Sequence, residues 1–133
     1  MIYVDSSVPL LALMEQTGGS EAAAALDEHR GEALRKVSSA LLDVEVSRAL
    51  RREGLDPALA DALLDSIDLV VIDDEVVQRA KALTGELKSL DAIHLATALI
   101  LDHPRDPVVL LTHDAHLAEA ARAHGLEVID PAA

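Results

Sequence analysis

Short runs of β-branched and other apolar residues alternate along the chain with longer amphipathic runs. The short runs are typical of strands. They predict five strands, at residues 2–5, 36–38, 69–72, 108–112 and 127–129. The longer runs repeat apolar residues with helical spacing. They predict helices at about residues 8–16, 21–30, 40–53, 57–66, 74–85, 90–101 and 115–124.

Capping residues and glycines mark the ends of these predicted helices. Ser39 precedes helix 40–53 and Gly54 follows it, while Asp56 is an N-cap with a proline directly after it. The other predicted N-caps are Ser20, Asp73 or Asp74, Ser89 and Asp114, and the other terminating glycines are Gly31, Gly85 and Gly125.

Strands that alternate with helices favour a parallel sheet covered by helices on both faces. We therefore expect one domain over residues 1–133, a three-layer α/β/α fold around a mostly parallel five-stranded sheet. The first strand, residues 2–5, is apolar on both faces and should lie in the middle of the sheet. Ligands bind such folds at the carboxyl ends of the strands, which is where Asp5 stands.

The composition excludes several classes of protein. There is no cysteine, which excludes a disulfide scaffold and thiolate metal sites and favours a reducing, cytoplasmic location. No apolar run is long enough to span a membrane, and the N-terminus lacks the pattern of a signal peptide. The net charge of −13 and the single aromatic residue, Tyr3, argue by themselves against a nucleic-acid binder and permit a cationic partner or a metal site.

Two acids break the local pattern in the first half of the chain. Asp5 ends an apolar strand, where it is either a turn residue or a site residue. Glu45 falls inside the apolar arc of its helix, between Leu41 and Ala49. A buried carboxylate must be paired or metal-bound, and the alternative to a site role is a salt bridge to Arg48 or Arg52.

Two further acids stand out in the second half. Asp91 is the only acid in the very apolar helix 90–101, where it either complements the helix dipole or joins a site. On the same helix, His94 is predicted to be a hydrogen-bonded core residue rather than a metal ligand. Asp114 follows the strand 108–112 and is also a natural N-cap. Asp73 and Asp74 occupy a similar junction, and the strand order is needed to tell the two junctions apart.

If Asp5, Glu45, Asp91 and Asp114 converge, they need protons or a cation. Two charges about 4 Å apart repel by about 4 kcal/mol at an effective dielectric of 20. Carboxylate oxygens select Mg²⁺ or Mn²⁺, with Ser6, Ser7 and Thr112 as a supporting shell. Such a site activates water for attack on a phosphodiester. The candidates for further phosphate contacts lie on the Glu45 helix: Arg48, Arg51 and Arg52.

The chain resembles the PIN-domain ribonucleases, in particular the VapC-type toxins of toxin–antitoxin pairs. The matching stretches are YVDSS at residues 3–7, SSALLDVEVSRAL at 38–50, LKSLDAIHLATA at 87–98 and LTHDAHL at 111–117. The resemblance implies that Asp5, Glu45, Asp91 and Asp114 form an acidic site that cuts RNA, with Asp5, Asp91 and Asp114 binding Mg²⁺ or Mn²⁺. It also implies a homodimer and a cognate antitoxin whose basic segment enters the acidic groove. His116 stands where some relatives carry another polar or acidic group.

Three alternatives to a PIN-domain ribonuclease make different demands on the sequence. A receiver domain needs a pair of early acids and a lysine after a late strand, but Asp5 has no acidic neighbour and no lysine follows residues 108–112. A haloacid-dehalogenase-like phosphatase needs a second aspartate where Ser7 stands. The third alternative is a non-catalytic PIN-like binding module that uses its acidic groove to hold a basic partner.

Overall fold

Five strands form one parallel sheet in the computed structural model, which describes residues 1–28 and 34–132. The strands are β1 (Ile2–Val4), β2 (Lys36–Ser39), β3 (Asp68–Val70), β4 (Val109–Leu111) and β5 (Glu127–Ile129). They lie in the order β3-β2-β1-β4-β5, and every neighbouring pair is parallel. The predicted α/β class and the central position of the first strand are confirmed, and the sheet is parallel throughout rather than mostly.

Seven helices lie in the described part of the chain: α1 (Ser7–Leu13), α2 (Gly19–Glu28), α3 (Leu41–Arg52), α4 (Ala58–Leu64), α5 (Asp74–Ala82), α6 (Ser89–Leu101) and α7 (Ala115–Ala123). Most bounds differ from the predicted ones by one to three residues. Helix α1 ends earlier than expected, and Glu15 soon after it has a positive φ of 50°. The predicted stop at Gly31 lies outside the described residues. No helix of the described chain is long and apolar enough to cross a membrane.

The two faces of the sheet carry separate apolar cores. Successive side chains of β1 point to opposite faces, so Ile2 and Val4 join one core while Tyr3 joins the other. The first core contains side chains of α1 to α4, among them Leu42 of α3. The second contains side chains of α6 and α7, among them Leu95 of α6. This arrangement is the predicted three-layer α/β/α architecture.

The strand order makes β1 the point where the chain changes direction across the sheet. From β1 the chain builds outward through β2 and β3 on one side, then returns to place β4 and β5 on the other. The carboxyl ends of β1 and β4 are therefore neighbours at a topological switch point, where open α/β sheets bind ligands. Asp5 follows β1 and Asp114 lies just beyond β4, whereas Asp73 follows the edge strand β3.

Candidate active site

Asp5 is buried at the carboxyl end of β1, with 2% of its surface exposed. Its Oδ2 accepts hydrogen bonds from Ser7 Oγ at 2.6 Å and Thr112 Oγ1 at 2.8 Å. Its backbone N–H donates to the carbonyl of Leu111, which joins the end of β1 to β4. Two of the predicted supporting residues, Ser7 and Thr112, thus hold one carboxylate oxygen of Asp5 in place.

Asp114 is the N-cap of α7, and hydrogen bonds of Thr112 link it to Asp5. Its Oδ1 accepts the backbone N–H groups of His116 at 2.9 Å and Leu117 at 3.1 Å. The Thr112 hydroxyl that donates to Asp5 also accepts the backbone N–H of Asp114 at 3.0 Å. Asp114 is therefore both a capping residue and a neighbour of Asp5, and the two roles weighed from the sequence do not exclude each other.

Asp91 lies in the first turn of α6 and responds to the charges of the other three acids. Burial, together with the charges of Asp114, Asp5 and Glu45, raises the pKa of Asp91 from 3.8 to about 6, against a lowering effect of His94. An acid responds in this way only when other carboxylates are close enough to repel its ionised form. The four acids singled out in the sequence therefore share one electrostatic environment.

Glu45 reaches this environment from α3, whose neighbouring residues Leu42 and Val46 are buried in the first core. Its Oε1 is 2.5 Å from His94 Nε2, and its Oε2 accepts a hydrogen bond from Ser6 Oγ at 3.1 Å. The two partners of Glu45 are thus Ser6, in the turn that follows β1, and His94 on α6. The alternative of a salt bridge to Arg48 or Arg52 is wrong.

His94 is fully buried between Glu45 and Tyr3. Its Nδ1 is 2.7 Å from the Tyr3 hydroxyl, which also accepts the backbone N–H of Ser39 at 3.1 Å. Burial alone lowers the pKa of His94, but the hydrogen bond to Glu45 and the charges of Asp5, Glu45 and Asp91 outweigh burial and raise it. Burial also raises the pKa of Tyr3, so its hydroxyl keeps its proton at neutral pH. The prediction that His94 is a hydrogen-bonded core residue is confirmed.

The contact of His94 with Glu45 was not foreseen from the sequence, although a signal for it was present. Glu45 sits in an apolar arc and needs a buried donor, and His94 lies in an apolar helix and needs a buried polar partner. Each residue supplies the buried hydrogen-bond partner that the other needs. Tyr3 gave a weaker signal, because a tyrosine in a strand is ordinary and only the fold shows which face it occupies.

The donor chemistry of the site suits a hard divalent cation. Among residues 1–28 and 34–132, no three His, Asp or Glu side chains are drawn together as a formed metal site. Asp5, Asp91 and Asp114 nevertheless supply carboxylate oxygens, the ligands that Mg²⁺ and Mn²⁺ prefer. The repulsion that raises the pKa of Asp91 is also what a cation would relieve.

Two cavities lie on the α3 side of the molecule. The smaller, of about 290 Å³, is lined by the three predicted phosphate contacts, Arg48, Arg51 and Arg52. The larger, of about 720 Å³, is lined by Arg52 and mostly apolar residues of α1, and reaches the site at Ser7 and His113. Arg52 therefore shares the larger cavity with Ser7, a hydrogen-bond partner of Asp5.

The fold and site together define an α/β protein with an acidic centre at the switch point of a parallel sheet. The PIN domain family matches residues 2–123, so the chain belongs to the PIN-domain family, and its relatives place it in the VapC type. The family resemblance inferred from the four sequence motifs is confirmed.

Curated relatives match the chain over almost its whole length. Ribonuclease VapC35 of Mycobacterium tuberculosis is 41% identical over 98% of this chain and 97% of its own. Ribonuclease VapC46 of the same species is 38% identical over the same shares. A solved toxin–antitoxin complex from Klebsiella pneumoniae has a TM-score of 0.71 over 98% of both chains at 24% identity, a likeness of fold.

Proposed function

We propose that the protein is a metal-dependent endoribonuclease and the toxin of a toxin–antitoxin pair. The observation that carries this proposal is the shared electrostatic environment of Asp5, Glu45, Asp91 and Asp114 at the switch point of the sheet. The printed names of the relatives, ribonucleases of the VapC series, support RNA as the substrate. Residues 1–133 act as one domain in this proposal.

The residues of the site have different roles in the proposed hydrolysis. Asp5, Asp91 and Asp114 provide oxygen ligands, and Ser7 and Thr112 fix the orientation of Asp5. When bound, Mg²⁺ or Mn²⁺ supplies Lewis acidity that lowers the pKa of water and neutralises charge on the phosphodiester. Glu45, held by Ser6 and His94, is placed to accept the proton of the attacking water.

The proposal is tested by cleavage of total RNA with purified protein in Mg²⁺ or Mn²⁺, with and without EDTA. We expect EDTA to stop cleavage and Asp5→Asn to reduce it by about 100-fold or more, because Asp5 is a proposed ligand of the cation and charge stabilisation by a bound cation contributes several kcal/mol. Asp61→Asn, a change of the same kind at an exposed position of α4, should leave cleavage unchanged. Full activity in excess EDTA, or in Asp5→Asn, would refute the proposal.

Arg48, Arg51 and Arg52 are proposed to contact RNA phosphates beside the acidic centre. They are exposed and line a common cavity, and the negative charge of the chain elsewhere leaves them as a local cationic patch. The binding of RNA is measured with Asp5→Asn protein as the background. In that background, Arg48→Ala should weaken RNA binding and reduce the slope of log affinity against log salt concentration by about 1. An unchanged slope would assign Arg48 to the solvated surface.

The partner proposed for the acidic groove is a basic antitoxin segment, which suits the net charge of −13. A homodimer and a cytoplasmic location complete the proposal. Expression of the chain should be toxic, and co-expression with the product of a neighbouring small basic gene should relieve toxicity and yield a complex. The competing function, a non-catalytic binding module, predicts the complex but no metal-dependent cleavage.

A further inference from the structure

The buried pair of His94 and Glu45 has a role that the acidic site itself does not explain. His94 has no exposed surface and makes hydrogen bonds at both ring nitrogens. We propose that His94 is a positioning residue that holds the Glu45 carboxylate over the site, and that Tyr3 fixes the imidazole for this task. The inference rests on the proposed phosphodiester hydrolysis and assigns how one of its acids is kept in place.

The direction of the hydrogen bonds follows from what each group can donate. The Glu45 carboxylate only accepts, so Nε2 of His94 carries the proton in their 2.5 Å contact. In the neutral ring Nδ1 is then an acceptor, and the Tyr3 hydroxyl donates to it at 2.7 Å while accepting from Ser39 N–H. Nε2 keeps its proton in the charged ring as well. The contact with Glu45 is therefore the same in both protonation states of His94.

Without this donor, Glu45 would not remain in its observed position. His94 Nε2 lies 2.5 Å from Glu45 Oε1 and 3.9 Å from Asp5 Oδ1, so a single buried N–H faces both acids. Glu45 is 18% exposed and has a route to solvent, whereas Asp5 is enclosed. Once His94 is removed, repulsion from Asp5 favours rotation of Glu45 toward water, and among the residues that the structure describes only Ser6 still donates a hydrogen bond to it.

Two amide substitutions separate the functions of the two ring nitrogens. The side-chain amide of glutamine reaches the position of Nε2, whereas that of asparagine reaches only the position of Nδ1. We expect His94→Asn to lower kcat by about 10- to 100-fold, as loss of a supporting partner of a catalytic ligand does. His94→Gln should recover most of that loss and give a kcat within about 10-fold of wild type, and KM should change little in both variants because His94 is buried away from RNA.

The matched control is His124→Asn, the same change at an exposed position of α7's C-terminal end, which should not alter cleavage. Thermal unfolding and circular dichroism establish that each variant is folded. Equal kcat values for folded His94→Asn and His94→Gln would overturn the proposal. Where neither folds, Tyr3→Phe serves instead: it removes the proton donor to Nδ1 and should lower kcat, and an unchanged kcat would count against the assigned role of Tyr3.

A second measurement does not depend on RNA cleavage or on metal. Long-range ¹⁵N–¹H spectra of the metal-free protein should show a proton on His94 Nε2, and a spectrum with the proton on Nδ1 alone would overturn the inference. If wild-type protein cleaves no RNA, the proposed function fails, and the spectrum still tests the His94–Glu45 contact. If wild-type protein is active and the two amide variants are alike, only the positioning role fails.

Discussion

Asp91 is the residue whose ionisation reports most directly on the acidic centre. Its pKa is about 6 in the fold against an ordinary 3.8, so the folded protein holds the proton more tightly than the unfolded chain does. As the pH rises from about 4 to about 6, Asp91 ionises in the unfolded chain first, and the folded state loses stability relative to it. Above that range the loss is complete and stays constant.

We therefore expect Asp91→Asn to stabilise the metal-free protein at pH 7 more than at pH 4. Asparagine keeps the size of the side chain and removes the charge that Asp114 and Asp5 repel. Thermal unfolding at both pH values measures the difference, with Asp61→Asn as the exposed control. Mg²⁺ should stabilise the wild type and not the variant at pH 7, and equal stabilisation of both by Mg²⁺ would remove Asp91 from the cation site.

The odd position of an acid in a pattern indicates that its carboxylate needs a partner, but not which partner it has. The apolar arc around Glu45 correctly indicated that its carboxylate needs a partner, and the apolar helix around Asp91 marked α6 as buried. Neither pattern could name His94 as the partner of Glu45. The contact spans 49 residues and depends on how α3 and α6 approach β1, which periodicity does not contain.

Among the elements, the strand order is what separates Asp114 from Asp73. Both are N-caps that follow a strand, and both accept backbone N–H groups of the next helix. Asp114 lies beyond β4, next to the central strand β1, whereas Asp73 lies beyond the edge strand β3. The sequence predicted all five strands and their alternation with helices, yet their order depends on non-local packing.

This difference predicts opposite effects for the two caps. Asp114→Asn should reduce RNA cleavage strongly and change stability little, because asparagine caps a helix about as well as aspartate. Asp73→Ala should lower the free energy of unfolding by about 1 kcal/mol through loss of the hydrogen bond from Val76 N–H, and leave cleavage unchanged. Urea unfolding and RNA cleavage on both variants measure the two effects. Loss of cleavage in Asp73→Ala would show that the carboxyl end of β3 belongs to the site.

At the scale of the whole molecule, the edge of the sheet at β3 carries exposed apolar side chains. The acidic centre lies at the carboxyl ends of the central strands β1 and β4, while apolar side chains are exposed next to the edge strand β3. Val71 is 68% exposed just after β3, and the next residue, Ile72, and Val77 of α5 are also exposed. An unpaired edge strand with exposed apolar neighbours is a surface that proteins cover with a partner.

We expect this edge to be covered by a second copy of the chain, which is the homodimer that the family resemblance implies. Val71→Lys should weaken dimerisation by about 10-fold or more, because burying one valine contributes about 1.5 kcal/mol or more and a symmetric interface contains it twice. Sedimentation of both proteins over a concentration series measures the change. Ile129→Lys, on the opposite edge strand β5, is the matched control, since Ile129 is 40% exposed. A wild-type protein that stays monomeric would refute the dimer, and dissociation by Ile129→Lys alone would move the interface to β5.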